Sequence, residues 1–122
     1  MSIPDDLQYT SHDEWVRVEG DVITVGITDY AQDQLGELVH VDLPEVGADV
    51  SAGEVVCEVE SVKAVAEIYA PVSGQIAEIN SALEDAPESI NSEPYKSWIY
   101  KIKATSAPDG LMSPADYTAK VS

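Results

Sequence analysis

The chain has 122 residues, 23 of them acidic and 6 basic, for a formal net charge of −17 at pH 7. Such a field repels phosphate backbones and anionic bilayers, so neither nucleic acid nor membrane is an expected partner. A lone cysteine excludes an internal disulfide, and with only two histidines beside it no zinc set or other metal site is expected.

A hydrophobic content of 44% supplies a packed core, and the length fits one domain spanning residues 1–122. No stretch of 18 apolar residues is present. The opening Met1-Ser2-Ile3-Pro4-Asp5-Asp6 has neither the basic and apolar blocks of a secretory signal nor an Arg-rich leader, so a cytoplasmic location is expected.

In chain order the dominant period is two. Residues 15–18 and 22–27 are β-rich runs around Glu19-Gly20-Asp21, a three-residue hairpin loop with glycine available for a positive φ. Asp29 is placed to cap a short helix, with Gln32 three residues on and Gly36 as its stop. Residues 38–43 form a strand ended by Pro44, and glycine turns fill 46–53. Residues 54–60 and 64–70 alternate in polarity, Pro71-Val72-Ser73-Gly74 is a turn, and 75–79 is a strand. The polar connection 80–94 has room for helical turns at 82–85 and 87–90. Residues 98–103 form a last strand, and 104–122 is loop with one helical turn near 114–118. Short strands joined by glycine turns predict an all-β sandwich or barrel.

The centre of the chain specifies its own pairing. If 54–60 and 64–70 fold back between Val62 and Lys63, Val59 faces Ala66, Cys57 faces Ile68 and Val55 faces Ala70. These apolar pairs share one face, and Glu60 with Val65, Glu58 with Glu67 and Val56 with Tyr69 share the other. A slip of one residue would mix the faces. Val62 is a poor residue for the positive φ of a two-residue turn, which a four-residue loop over 61–64 relieves. Either loop puts Lys63 at the tip, where it is the only basic residue between Arg17 and Lys96. An exposed lysine is ordinarily a solvated one. The alternative is an amine held out for a modifying enzyme, since a ε-amine forms a stable amide with an activated carboxylic acid and a turn tip gives access. Cys57 is expected to point inward as a small core residue, Trp15 and Trp98 to pack, and His40 to face solvent.

Glu60-Ser61-Val62-Lys63-Ala64, Ile68-Tyr69-Ala70-Pro71-Val72-Ser73-Gly74 and Ile79-Asn80 together resemble the lipoyl-lysine signature of the glycine cleavage system H protein family. Val25-Gly26-Ile27-Thr28-Asp29-Tyr30-Ala31-Gln32, Leu35-Gly36-Glu37-Leu38-Val39, Asp42-Leu43-Pro44-Glu45-Val46-Gly47 and Ile90-Asn91-Ser92-Glu93-Pro94-Tyr95 resemble further blocks of that family. The likeness covers residues 3–103 and leaves 104–122 as a short C-terminal extension.

The resemblance implies a mainly β, barrel-sandwich hybrid fold of the lipoyl/biotinyl-carrier kind with short flanking helices. It implies that Lys63 carries lipoate as N6-lipoyllysine, with Glu60, Ser61, Val62, Ala64 and Gly74 flanking it in the modification motif. It implies a non-catalytic carrier and a monomer. The aminomethyl group of glycine would pass from the pyridoxal-phosphate-dependent glycine decarboxylase (P protein) to the aminomethyltransferase (T protein), and dihydrolipoyl dehydrogenase (L protein) would reoxidise the carrier. A lipoate ligase or a lipoyl/octanoyl transferase would attach the group. Tethering turns transfers among separate enzymes into events at high effective concentration. In this family the loaded arm folds back on the protein surface, and by position Glu14 and Glu67, with His12 nearby, match that docking cleft.

The chain departs from the family at His12-Asp13-Glu14-Trp15, where members usually show His-Glu-Trp, and at Gln34, where some have histidine. Its tail carries little of the family's C-terminal helix pattern. Other readings are a lipoyl domain of a 2-oxo acid dehydrogenase complex and a lipoyl-relay protein. In the first an aspartate normally precedes the lysine, and here Val62 does. A biotin carrier would place methionines beside the lysine. An independent enzyme lacks a nucleophile–base set.

Overall fold

The computed structural model describes residues 2–121. In chain order they form β1 (Gln8–Tyr9), β2 (Glu14–Glu19), β3 (Val22–Ile27), α1 (Asp29–Leu35), β4 (Leu38–Asp42), β5 (Asp49–Val50) and β6 (Val55–Ser61). There follow β7 (Val65–Tyr69), β8 (Gly74–Ile79), α2 (Ala82–Asp85), α3 (Ser89–Ser92), β9 (Tyr100–Ala104) and α4 (Pro114–Val121). The strands make two antiparallel sheets. One has six strands in the order β1-β2-β3-β9-β8-β5, the other three in the order β4-β6-β7. The all-β expectation holds in this two-sheet form.

Alternation explains the layering. Ile23, Val25 and Ile27 of β3, with Ile102 of the adjacent β9 and Ile76 of β8 beyond it, meet Val41, Cys57, Val59 and Ile68 of the smaller sheet in one core. A second cluster of Leu7, Tyr9, Trp15 and Tyr117 lies on the other side of β2 and fastens the two chain ends to the body. Two glycines mark close approaches. A Cβ at Gly26 would meet the Trp15 indole at 2.5 Å, and one at Gly74 would run into the Lys103 carbonyl oxygen.

The structure corrects several local expectations. Glu19 pairs with Val22, so the first hairpin closes on two residues, Gly20 and Asp21, with Gly20 at φ 66°. The cap of α1 is Thr28, whose Oγ1 accepts from the Ala31 N–H at 3.2 Å. Asp29 is instead the first helical residue, and its carboxylate accepts from the Gln32 side chain. Gly36 stops the helix at φ 80° as expected. Helical turns form at 82–85 as expected and at 89–92 rather than 87–90. The tail folds into eight helical residues rather than one turn, because Tyr117 stacks on Tyr9 at 4.7 Å and Met112 bridges to Tyr9. The two-residue strands β1 and β5 are too short to leave a periodic trace.

In the central hairpin Val59 pairs with Ala66, Cys57 with Ile68, Glu60 with Val65 and Glu58 with Glu67, as the alternation demands. At the base the register shifts between Val55 and Cys57, and Val55 pairs with Tyr69. The expected pairs Val55–Ala70 and Val56–Tyr69 therefore do not form. The extra residue turns Val55 outward, and Ala70 instead exchanges backbone bonds with Gly53 and Glu54.

Candidate functional site

Lys63 sits exposed at the free end of the β6–β7 hairpin. Ser61 builds the turn. Its N–H donates to the Ala64 carbonyl at 2.8 Å, while its buried Oγ accepts from the N–H groups of Lys63 (3.2 Å) and Ala64 (3.0 Å). A hydroxyl that takes two loop amides fixes a bend without a positive φ at Val62 or Lys63, so the four-residue loop is the one adopted. The Val62 N–H donates to the Glu37 carbonyl at 3.2 Å, which leans the tip against the end of α1. The lysine stem crosses Gly36, where a Cβ would lie 3.5 Å from Lys63 Cε. None of the ion pairs formed among the described residues involves Lys63.

The flanks of the lysine divide by role. Glu60, Val62 and Ala64 are exposed around the tip, and Ser61 is buried beneath it. Gly74 opens β8, in the other sheet from the hairpin. It is buried in the six-stranded sheet, paired with Val50 and Ala104, at a place where any side chain meets backbone. Its glycine is required by strand packing.

Asn91 is a residue whose role the sequence did not disclose. Its Nδ2 donates to the Gly36 carbonyl (2.8 Å) and to Gln32 Oε1 (3.0 Å), and its Oδ1 accepts from the Leu38 N–H (2.9 Å). It thereby holds the Gly36–Glu37 segment on which the lysine stem and the hairpin tip rest. The available signal was a polar residue next to Ile90, itself fully buried.

His12, Glu14 and Glu67 come together around Tyr69. The His12 ring stacks on the Tyr69 ring at 4.0 Å, and Glu67 accepts from the Tyr69 hydroxyl at 3.3 Å. Glu14 is not a solvated acid: it is 1% exposed. Its Oε1 accepts from the Thr10 hydroxyl at 2.6 Å and its Oε2 from the Tyr69 N–H at 2.8 Å. Burial drives its pKa up against the lowering effect of these two bonds and of His12. Glu67 stays exposed, opposite Glu58.

Two depressions meet at His12. One, of about 190 Å³, is lined by the apolar Ile27, Ala31, Leu35, Ala66 and Ile68 and edged by His12, Asp13, Gln34 and Glu67. The other, of about 320 Å³, opens over Glu14, Tyr69 and Pro71. Leu35 in the wall of the first immediately precedes Gly36, over which the Lys63 stem passes. A long apolar chain on Lys63 that ran back past Gly36 would meet this depression, whose rim carries the Asp13 and Glu67 carboxylates. Elsewhere, Cys57 faces the core as expected, and burial pushes its thiol up to about 12. Trp15 is buried, Trp98 half-buried and His40 exposed, also as expected. Among the described residues no group of three or more His, Cys, Asp or Glu is placed to hold a metal ion.

Comparison with known proteins places this geometry. Residues 7–122 match the family model described as glycine cleavage H-protein. A glycine cleavage system H protein of Rubrobacter xylanophilus is 50% identical over 120 residues, 98% of this chain and 94% of that one. A probable glycine cleavage system H protein of Thermococcus kodakarensis is 52% identical over 118 residues, 96% of this chain and 88% of that one. The crystal structure of a glycine cleavage system H protein from Mycobacterium marinum superposes with a TM-score of 0.90 at 44% identity, covering 97% of this chain and 98% of the other.

Proposed function

The chain belongs to the glycine cleavage H-protein family, and on that premise we propose that Lys63 is the residue by which it carries a lipoyl group. The function is that of the family: a carrier that moves the aminomethyl group of glycine from the P protein to the T protein and is reoxidised by the L protein. The whole chain, residues 104–122 included, acts as one non-catalytic carrier unit. None of its described helices is long and apolar enough to cross a membrane, and the work is assigned to the cytoplasm. A lipoate ligase or a lipoyl/octanoyl transferase supplies the modification.

The observation that carries this reading is the Lys63 amine at a braced hairpin tip, with free access and an apolar trough beside it. When bound, the lipoyl group supplies a disulfide, which accepts a one-carbon unit together with two electrons. The chain's own residues do the rest. Ser61 and the Glu37 carbonyl hold the tip in one geometry. Gly36 leaves a lane for the stem, and Ile27, Ala31, Leu35, Ala66 and Ile68 cover an apolar chain and exclude water from it. Glu14, Glu67 and His12 form the polar end, where carboxylates hold a cationic amine.

The test is the intact mass of natively expressed protein. One lipoyl amide is expected on the wild type and none on Lys63→Arg, which also loses glycine–bicarbonate exchange with the P protein. A lipoyl adduct that survives Lys63→Arg, or exchange that continues without it, overturns the assignment.

A further inference from the structure

Asp13 is the only non-glycine among the described residues with a positive φ, 66°. It sits in a tight turn between two residues of the site above. Within that turn Asp13 N–H donates to the Thr10 carbonyl, and Thr10 Oγ1 accepts from the N–H groups of His12 and Glu14. On one side of Asp13, His12 stacks on Tyr69; on the other, Glu14 holds the Tyr69 N–H. Asp13 borders the apolar trough beside His12, and its carboxylate is held by the chain's last helix. Its Oδ1 accepts from the Tyr117 hydroxyl at 3.1 Å and from Lys120 Nζ at 3.2 Å. The Tyr117 hydroxyl also bonds Thr28 Oγ1 at 2.6 Å, and the Thr28 N–H donates to the Asp13 carbonyl at 3.1 Å.

A left-handed residue other than glycine persists where its surroundings over-determine it. Here Thr10 and Thr28 hold the Asp13 backbone, and α4 holds its carboxylate. We propose that the C-terminal helix positions the arm-facing pair His12 and Glu14, with Tyr117 and Lys120 acting through Asp13. The helix reaches the site through Asp13, which itself borders the apolar trough. It works by fixing the backbone that sends residues 12 and 14 to the two sides of Tyr69. The idea rests on the carrier reading for its second measurement below and stands alone for the first.

The variants are Tyr117→Phe, which keeps the stack on Tyr9 and removes the hydroxyl, the exposed Lys120→Ala, and the double variant Tyr117→Phe with Asp13→Gly. The first measurement uses protein without lipoate and follows the His12 ring protons by NMR, which the stacked Tyr69 ring displaces. Tyr117→Phe is expected to move them toward free-histidine positions, and Lys120→Ala to move them part of the way. Asp13→Gly in the Phe background is expected to bring them back, because glycine adopts this φ without support. The second measurement uses lipoylated protein that the P protein has loaded with the aminomethyl group, and follows the ammonia released with formaldehyde as water hydrolyses it in the absence of the T protein. This hydrolysis should quicken about tenfold in Tyr117→Phe, the scale of one hydrogen bond to a charged group, and slow again in the double variant. Unmoved His12 signals in Tyr117→Phe, or moved signals that glycine at 13 does not restore, overturn the proposal. Failure of the carrier reading appears separately, as a wild-type mass with no lipoyl amide.

Discussion

Glu14 offers the sharpest test of how the two sheets are joined. Glu14→Ala removes both its hydrogen bonds and leaves the Tyr69 N–H without a partner. A stranded buried donor costs about 1–3 kcal/mol, and each lost methylene about 0.8 kcal/mol. Relief of the desolvated carboxylate offsets part of this, because burial outweighs the two bonds in setting its pKa. The balance at pH 7 is a loss of about 2 kcal/mol, or roughly 8 °C in Tm for a chain of this size. The pH dependence has a definite sign. The folded carboxyl titrates above its ordinary value of 4.5. Between the two values the folded state holds a proton that the unfolded state has released. This contribution to stability is complete below the ordinary value and is lost as pH rises through the folded one. The variant lacks it, so the gap between wild type and Glu14→Ala must widen as pH falls from 7 toward 4.5. The background of other carboxylates is common to both chains and cancels. Urea unfolding followed by tryptophan fluorescence at pH 7, 6 and 5 measures the gap. A gap that stays flat or narrows on acidification refutes the reasoning, because a solvated or ion-paired carboxylate would behave that way.

Three further outcomes are expected. Ser61→Ala strips the turn of the acceptor for two amides and should cost about 1–2 kcal/mol in urea unfolding. It should also speed hydrogen exchange at Lys63 and Ala64 and slow acylation of Lys63, read by mass over time. Gly74→Ala forces a Cβ onto the Lys103 carbonyl and should lose about 3 kcal/mol, while the fraction that remains folded is still lipoylated. An unchanged Tm with lipoylation abolished would show that Gly74 meets the modifying enzyme instead. The Cys57 thiol, pushed up to about 12 by burial, should resist alkylation at pH 8 in native protein and react at once in urea.

The parts of this fold legible in the sequence are those where alternation leaves a single answer. From Cys57 to Glu60 only one register hides Val59 and Ile68 while showing Glu58 and Glu67. At the base of the same hairpin Val55 and Val56 are interchangeable, so the bulge left no mark. Thr28 and Asp29 are both good caps, and the strand that ends at Ile27 decides for Thr28 by leaving it extended. Burial of Glu14 was concealed by abundance, since one acid among 23 draws no notice. A signal did exist: Glu14 shares its strand face with Val16, which is buried. Lys63 was legible because isolation, a turn and a motif coincide there. The bonds of Asn91 to Leu38 and of Tyr117 to Asp13 were not, because they join residues 53 and 104 positions apart.

The arrangement around Tyr69 also explains how a small sheet can hold a lysine out into solvent and remain in place. β7 is an edge strand, and edges leave backbone groups unpaired. At Tyr69 both groups point off the edge, and side chains of the larger sheet take them. Glu14 of β2 accepts from the N–H, and the Tyr100 hydroxyl of β9 donates to the carbonyl at 3.2 Å. The base of the hairpin is thus fastened by two side chains where a further strand would have covered its length. A strand there would have run along the faces of Ala66 and Ile68, which now line the apolar trough. Side-chain closure at one residue keeps the edge satisfied and the trough open. The carboxylate that performs the closure is buried at a cost in charge desolvation, and it lines the depression that adjoins the trough at His12. On the proposed docking role, anchoring the hairpin and receiving the amine would draw on one residue, and its protonation should then couple fold stability to the carrier's cargo.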